Sequence, residues 1–235
     1  MRLSVAIPVL DEEELIGDCL ESLRQQSDPV DEIIVIDNGS TDGTVEIARD
    51  APGVIVIEEP RRGITYARNT GFAAATGDIL ARIDADTLVS PDWAAAIRRA
   101  FSNDSDLAGL AGPAGLTRLS RGDRIIGRTA YEAFRIVHEL TIGEGPLMYG
   151  HNMALRRSAW ERIRDLVTTG DDRISEDVDI ALALHHTRQR VEYEPDMLVT
   201  IAAERTMHPA KLWRYSRADR LTTAKYRELR GTRAS

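Results

Sequence analysis

The chain has 235 residues, of which 43% are hydrophobic and 29% charged, and its formal net charge is −8 at pH 7. This length and composition are typical of a soluble globular protein with one large domain. No apolar run approaches the roughly 18 residues that span a bilayer. The single cysteine, Cys19, excludes an intrachain disulfide.

The charge is distributed unevenly along the chain. Residues 205–235 hold nine Lys or Arg against two acidic residues, a net of +7 in a chain of net −8. The acidic remainder argues against general nucleic-acid binding. We interpret the basic C-terminal segment as a solvated helix packed on the body, with contact to a membrane surface or an anionic acceptor as the alternative.

The N-terminal segment predicts a strand and not a signal peptide. Its apolar residues 3–9 are followed at once by Asp11-Glu-Glu-Glu14, which are the wrong flanks for a leader sequence. We therefore expect a cytoplasmic protein, with peripheral contact at the inner face of a membrane as the alternative location.

The first hundred residues alternate between strand and helix patterns. Apolar, β-branched runs predict strands at 3–9, 32–37, 54–57 and 79–83. Asp11 and Glu14 form a helix start in which Asp11 is the expected cap. Further helices are predicted from about Thr41 or Asp42, over 64–75 and over 91–101. Repeated β-α units imply a parallel sheet with right-handed crossovers.

The second half is less regular. Residues 107–116 predict a strand followed by a flexible loop, residues 121–140 a helix, and residues 143–152 a loop. The remaining predicted elements are helices at 159–166, 178–186 and 209–229 and strands at 191–194 and 198–201. Since no repeat or linker is visible, we predict one domain over 1–235, consisting of halves 1–105 and 106–204 and a C-terminal helical segment, 205–235.

Two carboxylates, Asp84 and Asp86, follow a predicted buried strand. Like charges at this spacing disfavour joint ionisation unless a cation compensates them. Such hard oxygen ligands suit Mg²⁺ or Mn²⁺, ions that commonly also hold substrate phosphates. The alternative is an acidic pair that caps the next helix, and the motif alone does not separate the two interpretations.

Three acidic groups follow three predicted strands: Asp11 with Glu12, Asp37, and Asp84 with Asp86. In open parallel sheets, ligands bind beyond the carboxyl ends of the strands. The groups are therefore expected to meet at one edge. Helix capping is the alternative for each carboxylate, but it does not explain Asp37, which precedes a loop.

Six segments together resemble family 2 glycosyltransferases with the GT-A fold. They are Val5–Glu13, Ile34–Thr44, Arg62–Gly71, Asp84–Asp86, Gly150–Ala154 with Arg156, and Ser175–Asp179. Asp11 stands where asparagine is commoner in that family. The resemblance implies an α/β fold of GT-A type: a doubly wound, mostly parallel sheet flanked by helices, with a nucleotide-binding N-terminal half and an acceptor-binding C-terminal half.

The resemblance also implies roles for individual residues. Asp37 would accept a hydrogen bond from the base, and Asp84 would face the ribose. Asp86 and, on a looser match, His208 would bind the metal. Asp177 would be the general base, although it is also placed to cap a helix that begins near Val178. Glu176, next to Asp177, is the second implied catalytic residue. The other residues implied at the nucleotide sugar are Pro8, Val9, Glu12, Asn38, Arg68 and Ala85.

The implied activity is transfer of one sugar from a nucleotide-diphosphate sugar to an acceptor hydroxyl, with Mn²⁺ or Mg²⁺. A UDP-sugar is the expected donor and a GDP-sugar the second choice. One carboxylate base suits an inverting displacement. The sequence contains no Gln-x-x-Arg-Trp motif, which favours a non-processive enzyme. The acceptor could be a glycan, a lipid-linked molecule or a small molecule, and a homodimer is left open.

Two other functions remain as alternatives. A nucleotidyltransferase of similar fold is disfavoured, because the acidic segment after the first strand, Leu10–Glu14, would repel a triphosphate. A catalytically silent protein that binds a nucleotide sugar is disfavoured by the presence of Asp84, Asp86 and Asp177. The sequence contains no Gly-x-x-x-x-Gly-Lys-Ser/Thr loop, so a P-loop NTPase is not expected.

Overall fold

Helices and strands alternate along the chain. The computed structural model describes residues 1–116, 121–201 and 209–231. The strands are β1 (Leu3–Val9), β2 (Glu32–Asp37), β3 (Val54–Glu58), β4 (Ile79–Arg82), β5 (Leu88–Val89), β6 (Leu107–Ala111), β7 (Ala114–Leu116), β8 (Met153–Arg156), β9 (Arg190–Tyr193) and β10 (Val199–Ile201). The helices are α1 (Ile16–Arg24), α2 (Thr44–Asp50), α3 (Ile64–Ala74), α4 (Trp93–Asn103), α5 (Arg121–Ile142), α6 (Arg157–Ile163), α7 (Glu176–His186) and α8 (Pro209–Gly231). Within these described ranges, no helix combines the length and apolarity needed to cross a membrane.

A seven-stranded sheet forms the centre of the fold, in the order β3-β2-β1-β4-β8-β6-β9. Its strands pair in parallel except for β8, which runs antiparallel to β4 and β6. A smaller sheet has the order β5-β10-β7. The predicted mostly parallel α/β sheet is confirmed. Because β1, β2 and β4 are parallel neighbours, the loops that follow them lie at one edge.

Each face of the large sheet carries its own apolar layer. Successive residues of a strand point to opposite faces, so Ile33 and Val35 enter one layer while Ile34 and Ile36 enter the other. The first layer also contains residues of α1 and α4, and the second contains residues of α3, α6 and α7. Burial on both faces explains why β2 is an uninterrupted apolar run and not an alternating one.

The predicted start of the first helix is wrong. α1 begins at Ile16, and no side chain caps it. Asp11 instead adopts a positive φ of 55° and accepts hydrogen bonds from the backbone and hydroxyl of Thr41, at 2.7 and 3.2 Å. The acceptor is therefore used between two loops and not at a helix end. The second helix also begins later than predicted, at Thr44.

The segment after β6 is not the flexible loop that the sequence predicted. Residues Ala114–Leu116 form β7, which pairs in parallel with β10. Asn152, which is fully buried, donates from its amide to the carbonyl oxygens of Pro113 and Met197 at 3.0 and 2.6 Å. These long-range bonds fix a glycine-rich segment that has weak strand propensity of its own.

One central strand, β8, was not predicted. Its residues Met153–Arg156 lie between β4 and β6, antiparallel to both. The strand has only four residues, and its pairing partners lie more than 40 residues away in the chain. No local sequence pattern therefore predicts it. It positions the preceding segment, Gly150–Asn152, beside the end of β4.

Candidate active site

The β2–α2 turn is built around two buried polar residues, Asp37 and Asn38. Asp37 accepts a hydrogen bond from the Ser40 backbone at 2.9 Å, which stabilises the turn. Asn38 donates to the carbonyl oxygens of Glu59 and Arg61 at 2.9 and 2.8 Å, and its own side-chain oxygen accepts from Gly63 at 2.8 Å. The structure thus gives both residues a part in shaping the loop.

Residues 10–15 and 38–43, here called the loop pair, are bonded to each other. Glu13 accepts from the Gly43 backbone at 2.8 Å, and the Glu12 backbone donates to the Thr44 hydroxyl at 2.7 Å. Pro8 and Val9 lie at the adjoining end of β1, opposite Ile36 and Asp37. The pairing of β1 with β4 has already ended at Ala6. Beyond that point β1 continues to pair with β2, and Pro8 and Val9 are buried.

Asp84 and Asp86 occupy the turn that follows β4. The Thr87 backbone donates to the Asp84 carbonyl at 3.1 Å, and the Cys19 thiol approaches the same oxygen at 3.8 Å. Burial, and then the charges of Asp86 and Asp84, raise the pKa of the Cys19 thiol far above its usual range. Cys19 is therefore a packed core residue under the acidic turn. Ala85 stands between Asp84 and Asp86 in the sequence, and its side chain is buried.

Asp84 is connected to α7 and α3 through buried charged groups. Arg82 donates to Asp84 at 2.8 Å and also pairs with Glu176. Arg68, whose side chain is fully buried, donates to the Glu176 carboxylate at 3.0 Å and to its carbonyl at 2.8 Å. We call Arg68, Arg82, Asp84 and Glu176 the arginine junction. Burial disfavours the charge on Arg82, but Glu176 and Asp84 hold the pKa of its guanidinium above the usual value.

Gly150 lies against the guanidinium of Arg82. A Cβ added at this glycine would overlap the guanidinium of Arg82, which is buried and held by Asp84 and Glu176, so a larger residue is disfavoured where the chain passes the arginine junction. The Gly150 backbone donates to Oδ2 of Asp177 at 3.1 Å. Asp177 Oδ1 accepts from the Ser175 hydroxyl at 3.1 Å and the Val178 backbone at 2.8 Å. Its carboxylate is thereby oriented at the start of α7.

The predicted capping role of Asp177 is not what the structure shows. α7 begins at Glu176 with Ser175 in the cap position, so Asp177 lies inside the first turn. A carboxylate has about four lone-pair sites. The three donors named above account for three of them, and Asp177 is only partly buried. The remaining capacity is what a proton acceptor would use.

Aromatic and histidine side chains form the wall next to Gly150. His151 Nε2 is 2.9 Å from the hydroxyl of Tyr131 on α5, and its ring stacks on Tyr149 with centroids 5.8 Å apart. The Tyr149 hydroxyl contacts His138 Nδ1 at 3.1 Å, and His138 Nε2 contacts Asp219 of α8 at 3.1 Å. Burial lowers the pKa of His151 to about 4, which keeps its ring neutral near pH 7. The wall joins α5 and α8 to the site.

The acidic turn fits a divalent ion that shares its coordination with phosphates. In the described ranges, no group of three or more His, Cys, Asp or Glu residues is arranged to hold a metal alone. Mg²⁺, however, is usually held by one or two carboxylates together with substrate phosphates. Arg82 binds one oxygen of Asp84, and Asp86, in the same turn, stays the predicted metal ligand. The second expected ligand, His208, lies outside the described residues.

The structure joins some predicted site residues and leaves others apart. Asp84, Arg68, Glu176 and Asp177 are connected through the arginine junction or by sequence adjacency to it. Asp37 ends β2, two strands from β4, so its distance from the junction is about 10 Å by strand spacing. Glu176 and Arg68 contact each other, so both are committed to the junction.

Sequence reasoning missed Arg82. It interrupts an apolar strand, and a charged residue in such a position is seldom fully buried unless it is paired. That signal was available in Ile79-Leu-Ala-Arg-Ile83. The roles of Tyr131 and Tyr149 were not visible in the same way, because an aromatic residue in a helix or loop is commonly a packing residue.

Solved structures show that the fold is of GT-A type. The mannosyltransferase PcManGT from Pyrobaculum calidifontis, determined with GDP-Man and Mn²⁺, aligns with a TM-score of 0.71 and 26% identity over 91% of this chain and 60% of that one. Glucosyl-3-phosphoglycerate synthase from Mycobacterium tuberculosis, determined with Mn²⁺, UDP-glucose and phosphoglyceric acid, aligns with a TM-score of 0.66 and 21% identity over 96% and 78% of the two chains. The class is therefore that of GT-A glycosyltransferase domains.

The sequence comparison gives the family. The model described as "Glycosyl transferase family 2" matches residues 4–164, so the chain belongs to glycosyl transferase family 2. The uncharacterized glycosyltransferase EpsJ of Bacillus subtilis is 28% identical over 81% of this chain and 58% of that protein. Glycosyltransferase AglE of Haloferax volcanii is 42% identical over 39% of this chain, and the match spans only 32% of AglE.

Proposed function

We propose that this chain is a metal-dependent, inverting and non-processive hexosyltransferase. It transfers one sugar from a nucleotide-diphosphate sugar to an acceptor hydroxyl. The observation that carries the proposal is the arginine junction, because it places the Asp84 turn and the Asp177 helix at one edge of the sheet. Family membership supports the reaction class, and the bound GDP-Man and UDP-glucose of the two neighbours support a nucleotide-sugar donor.

The loop pair and the end of β1 form the nucleotide side of the site. Asp37 accepts a hydrogen bond from the nucleobase, and the end of β1 at Pro8 and Val9 lies beside Asp37. The Asp84 side chain is 41% exposed, so its second oxygen can meet the ribose. Arg68 is entirely buried, and it acts on the site by holding Glu176. UDP-sugars are the first donors to test and GDP-sugars the second.

A divalent ion, Mn²⁺ or Mg²⁺, would be held by Asp86, and by His208 on the sequence resemblance. When bound, the ion would supply positive charge to the diphosphate leaving group. Asp86 belongs to a turn whose backbone is fixed by Thr87 and packed on Cys19. That packing keeps the carboxylate at the end of β4 before any ligand arrives.

Asp177 takes the proton of the acceptor hydroxyl. Gly150, Ser175 and Val178 hold its carboxylate in a single orientation. A positioned carboxylate base contributes about 10²–10⁴-fold to such a step. The aromatic wall of Tyr131, Tyr149 and His151 lines the approach and excludes water from that side of the site.

Donor turnover with Mn²⁺ tests the reaction class. The proposal predicts slow release of UDP or GDP from nucleotide sugars, measured by chromatography of the products. Release of pyrophosphate from a nucleoside triphosphate would instead identify a nucleotidyltransferase. Donor binding without release of either product, with a panel of glycan, lipid-linked and small-molecule acceptors present, would identify a catalytically silent binding protein.

The metal site is tested by Asp86→Ala. We expect this variant to lose Mn²⁺-dependent binding of UDP or GDP in calorimetry, because its carboxylate is the proposed protein ligand on the described residues. Asp165→Asn, which changes a carboxylate that is 92% exposed, serves as the matched control and should bind normally. Unchanged nucleotide affinity in Asp86→Ala would remove Asp86 from the metal site.

A further inference from the structure

The α5 helix presents its apolar side to solvent. Leu140, Val137, Phe134 and Ile136 are 77%, 61%, 50% and 48% exposed. Ala130 and Ala133 are exposed on the same side. We call these six residues the outer face of α5. At 100° per residue they span one continuous sector, and among the described side chains of α5, 128–142, that sector contains no charged residue.

The opposite side of α5 is polar and faces the protein. Arg135 pairs there with Glu132 at 3.1 Å and with Glu139 at 2.8 Å. His138 contacts Asp219, and Tyr131 contacts His151. Glu132, Arg135, His138 and Glu139 thus find their partners on the inner side, while large apolar side chains of α5 are exposed among the described residues. An ordinary surface helix buries its apolar side and exposes its charged side. α5 does the reverse, so we expect its outer face to bind an apolar partner.

The helix that neighbours the outer face, α8, is basic. α8 lies along the C-terminal part of α5, through the His138–Asp219 contact and the Arg230–Glu144 ion pair. Its sequence contains seven Lys or Arg and two acidic residues, in a chain of net −8. Arg217, Arg220 and Arg227 are exposed there.

We propose that the outer face of α5 and the exposed arginines of α8 bind an anionic phospholipid membrane. The apolar side chains enter the interface between headgroups and acyl chains, and the arginines meet the lipid phosphates. A second copy of this chain fits less well. A two-fold contact through the same face would bring the basic groups of both copies together, and like charges repel.

The proposal goes beyond sugar transfer, and it connects the membrane to the site through one helix. Tyr131, on the inner side of α5, contacts His151 next to the Gly150–Asp177 hydrogen bond. A helix that rests on a membrane would therefore present the site to acceptors at the bilayer surface. The sequence indicated only the basic C-terminal segment as a membrane contact, and the structure adds the apolar half of the surface.

Vesicle sedimentation of the whole chain tests the proposal. We expect binding to vesicles of phosphatidylcholine with 30% phosphatidylglycerol, and much weaker binding to phosphatidylcholine alone. Val137→Ser with Leu140→Ser should lower the partition coefficient about tenfold, because two large exposed apolar side chains are removed. The single control Ile55→Ser changes an apolar residue on β3 that is 46% exposed, and this variant should bind like the unaltered chain.

Two double variants test how much the arginines of α8 contribute to vesicle binding. Arg217→Gln with Arg220→Gln should weaken binding about 30-fold, at roughly 1 kcal/mol for each arginine near an anionic surface. Arg162→Gln with Arg164→Gln removes the same charge from exposed positions near α6 and should have little effect. Loss of binding in both pairs alike would reduce the effect to net charge and overturn the α8 assignment.

Two further measurements separate the other outcomes. Light scattering measures whether the chain forms a dimer that Val137→Ser with Leu140→Ser dissociates. Such a dimer, with no vesicle binding, would overturn the proposal in favour of a contact between copies. If the chain neither forms a dimer nor binds vesicles, the membrane proposal is overturned as well. Calorimetry of UDP and GDP with Mn²⁺ on every variant reports the fold and the proposed function separately, since soluble nucleotides do not need the outer face.

Discussion

The two sides of the site hold their carboxylates by different means. In the loop pair, Asp11 and Glu13 accept hydrogen bonds from backbone N–H groups, at 2.7 and 2.8 Å. At the arginine junction, Asp84 and Glu176 are held by the buried guanidinium of Arg82. The first arrangement shapes a loop, whereas the second fixes two acids relative to each other.

This difference predicts that the two sides of the site tolerate amino-acid substitutions unequally. A hydrogen bond at an exposed loop contributes about 1 kcal/mol, and neighbouring water can replace it. Removing one partner of a buried ion pair costs about 3–5 kcal/mol, because a charge is then left without compensation. The nucleotide side should therefore accept substitution, while the side that carries the proposed base should not.

The largest effect is expected from Asp177→Asn. This variant keeps the shape of the side chain and removes its basicity, so transfer should fall about 10²–10⁴-fold while donor binding is retained. Single-turnover sugar transfer and calorimetry measure the two quantities. Asp165→Asn controls for the loss of one negative charge. Turnover near that of the unaltered chain would place the base elsewhere.

Arg82→Met should destabilise the fold by about 3–5 kcal/mol, measured as the free energy of unfolding in urea. The substitution leaves Asp84 without its cation and leaves Glu176 with Arg68 alone. Arg99→Met is the control, because Arg99 is 51% exposed and pairs with an exposed Asp196, so about 1 kcal/mol or less is expected. If Arg82→Met lowers the free energy of unfolding by less than 1 kcal/mol, the arginine junction does not stabilise the fold.

Much of the nucleotide side was predictable from sequence. β1, β2 and β4 are apolar runs bounded by turn residues, and a parallel sheet brings their ends together. The acids at those ends could therefore be assigned to one edge before any coordinates. What the sequence did not show is which groups those acids contact, because Asp11 was expected at a helix start and instead bonds to Thr41.

The other side depended on pairings that are distant in the chain. β8 has four residues and joins β4 to β6 by antiparallel contacts, and without it Gly150 would not lie on Arg82. The orientation of α5 was likewise hidden. Helical spacing of Phe134 and Val137 predicts a helix with an apolar side, but not whether that side faces the protein.

A smaller effect is expected from acid at His151, in the wall of the catalytic side. Its pKa is lowered to about 4 in the folded chain by burial, against about 6.5 when unfolded. The unfolded state therefore takes up the proton first. Stability is complete above pH 6.5 and falls as the pH drops toward 4, by about 2 kcal/mol between pH 7 and pH 5.

Urea unfolding at pH 7 and pH 5 checks this sign. His151→Asn removes the titrating group, so the difference between the two pH values should be about 2 kcal/mol smaller in the variant than in the unaltered chain. Equal differences in both proteins would mean that His151 does not carry the acid sensitivity. The loop pair contains no histidine, so this measurement concerns the catalytic side alone.

The smallest effect is expected in the loop pair, at Asp11. Its φ of 55° is a conformation that Asn adopts as readily as Asp, and an Asn side-chain oxygen can still accept from Thr41. Asp11→Asn should therefore change the free energy of unfolding by less than about 0.5 kcal/mol. Asp11→Ala loses the acceptor and places a Cβ-bearing residue without local hydrogen bonding at positive φ, which should cost about 1–2 kcal/mol. If Asn were as costly as Ala, the carboxylate charge and not the hydrogen bond would be holding the two loops together, and the contrast with the arginine junction would no longer stand.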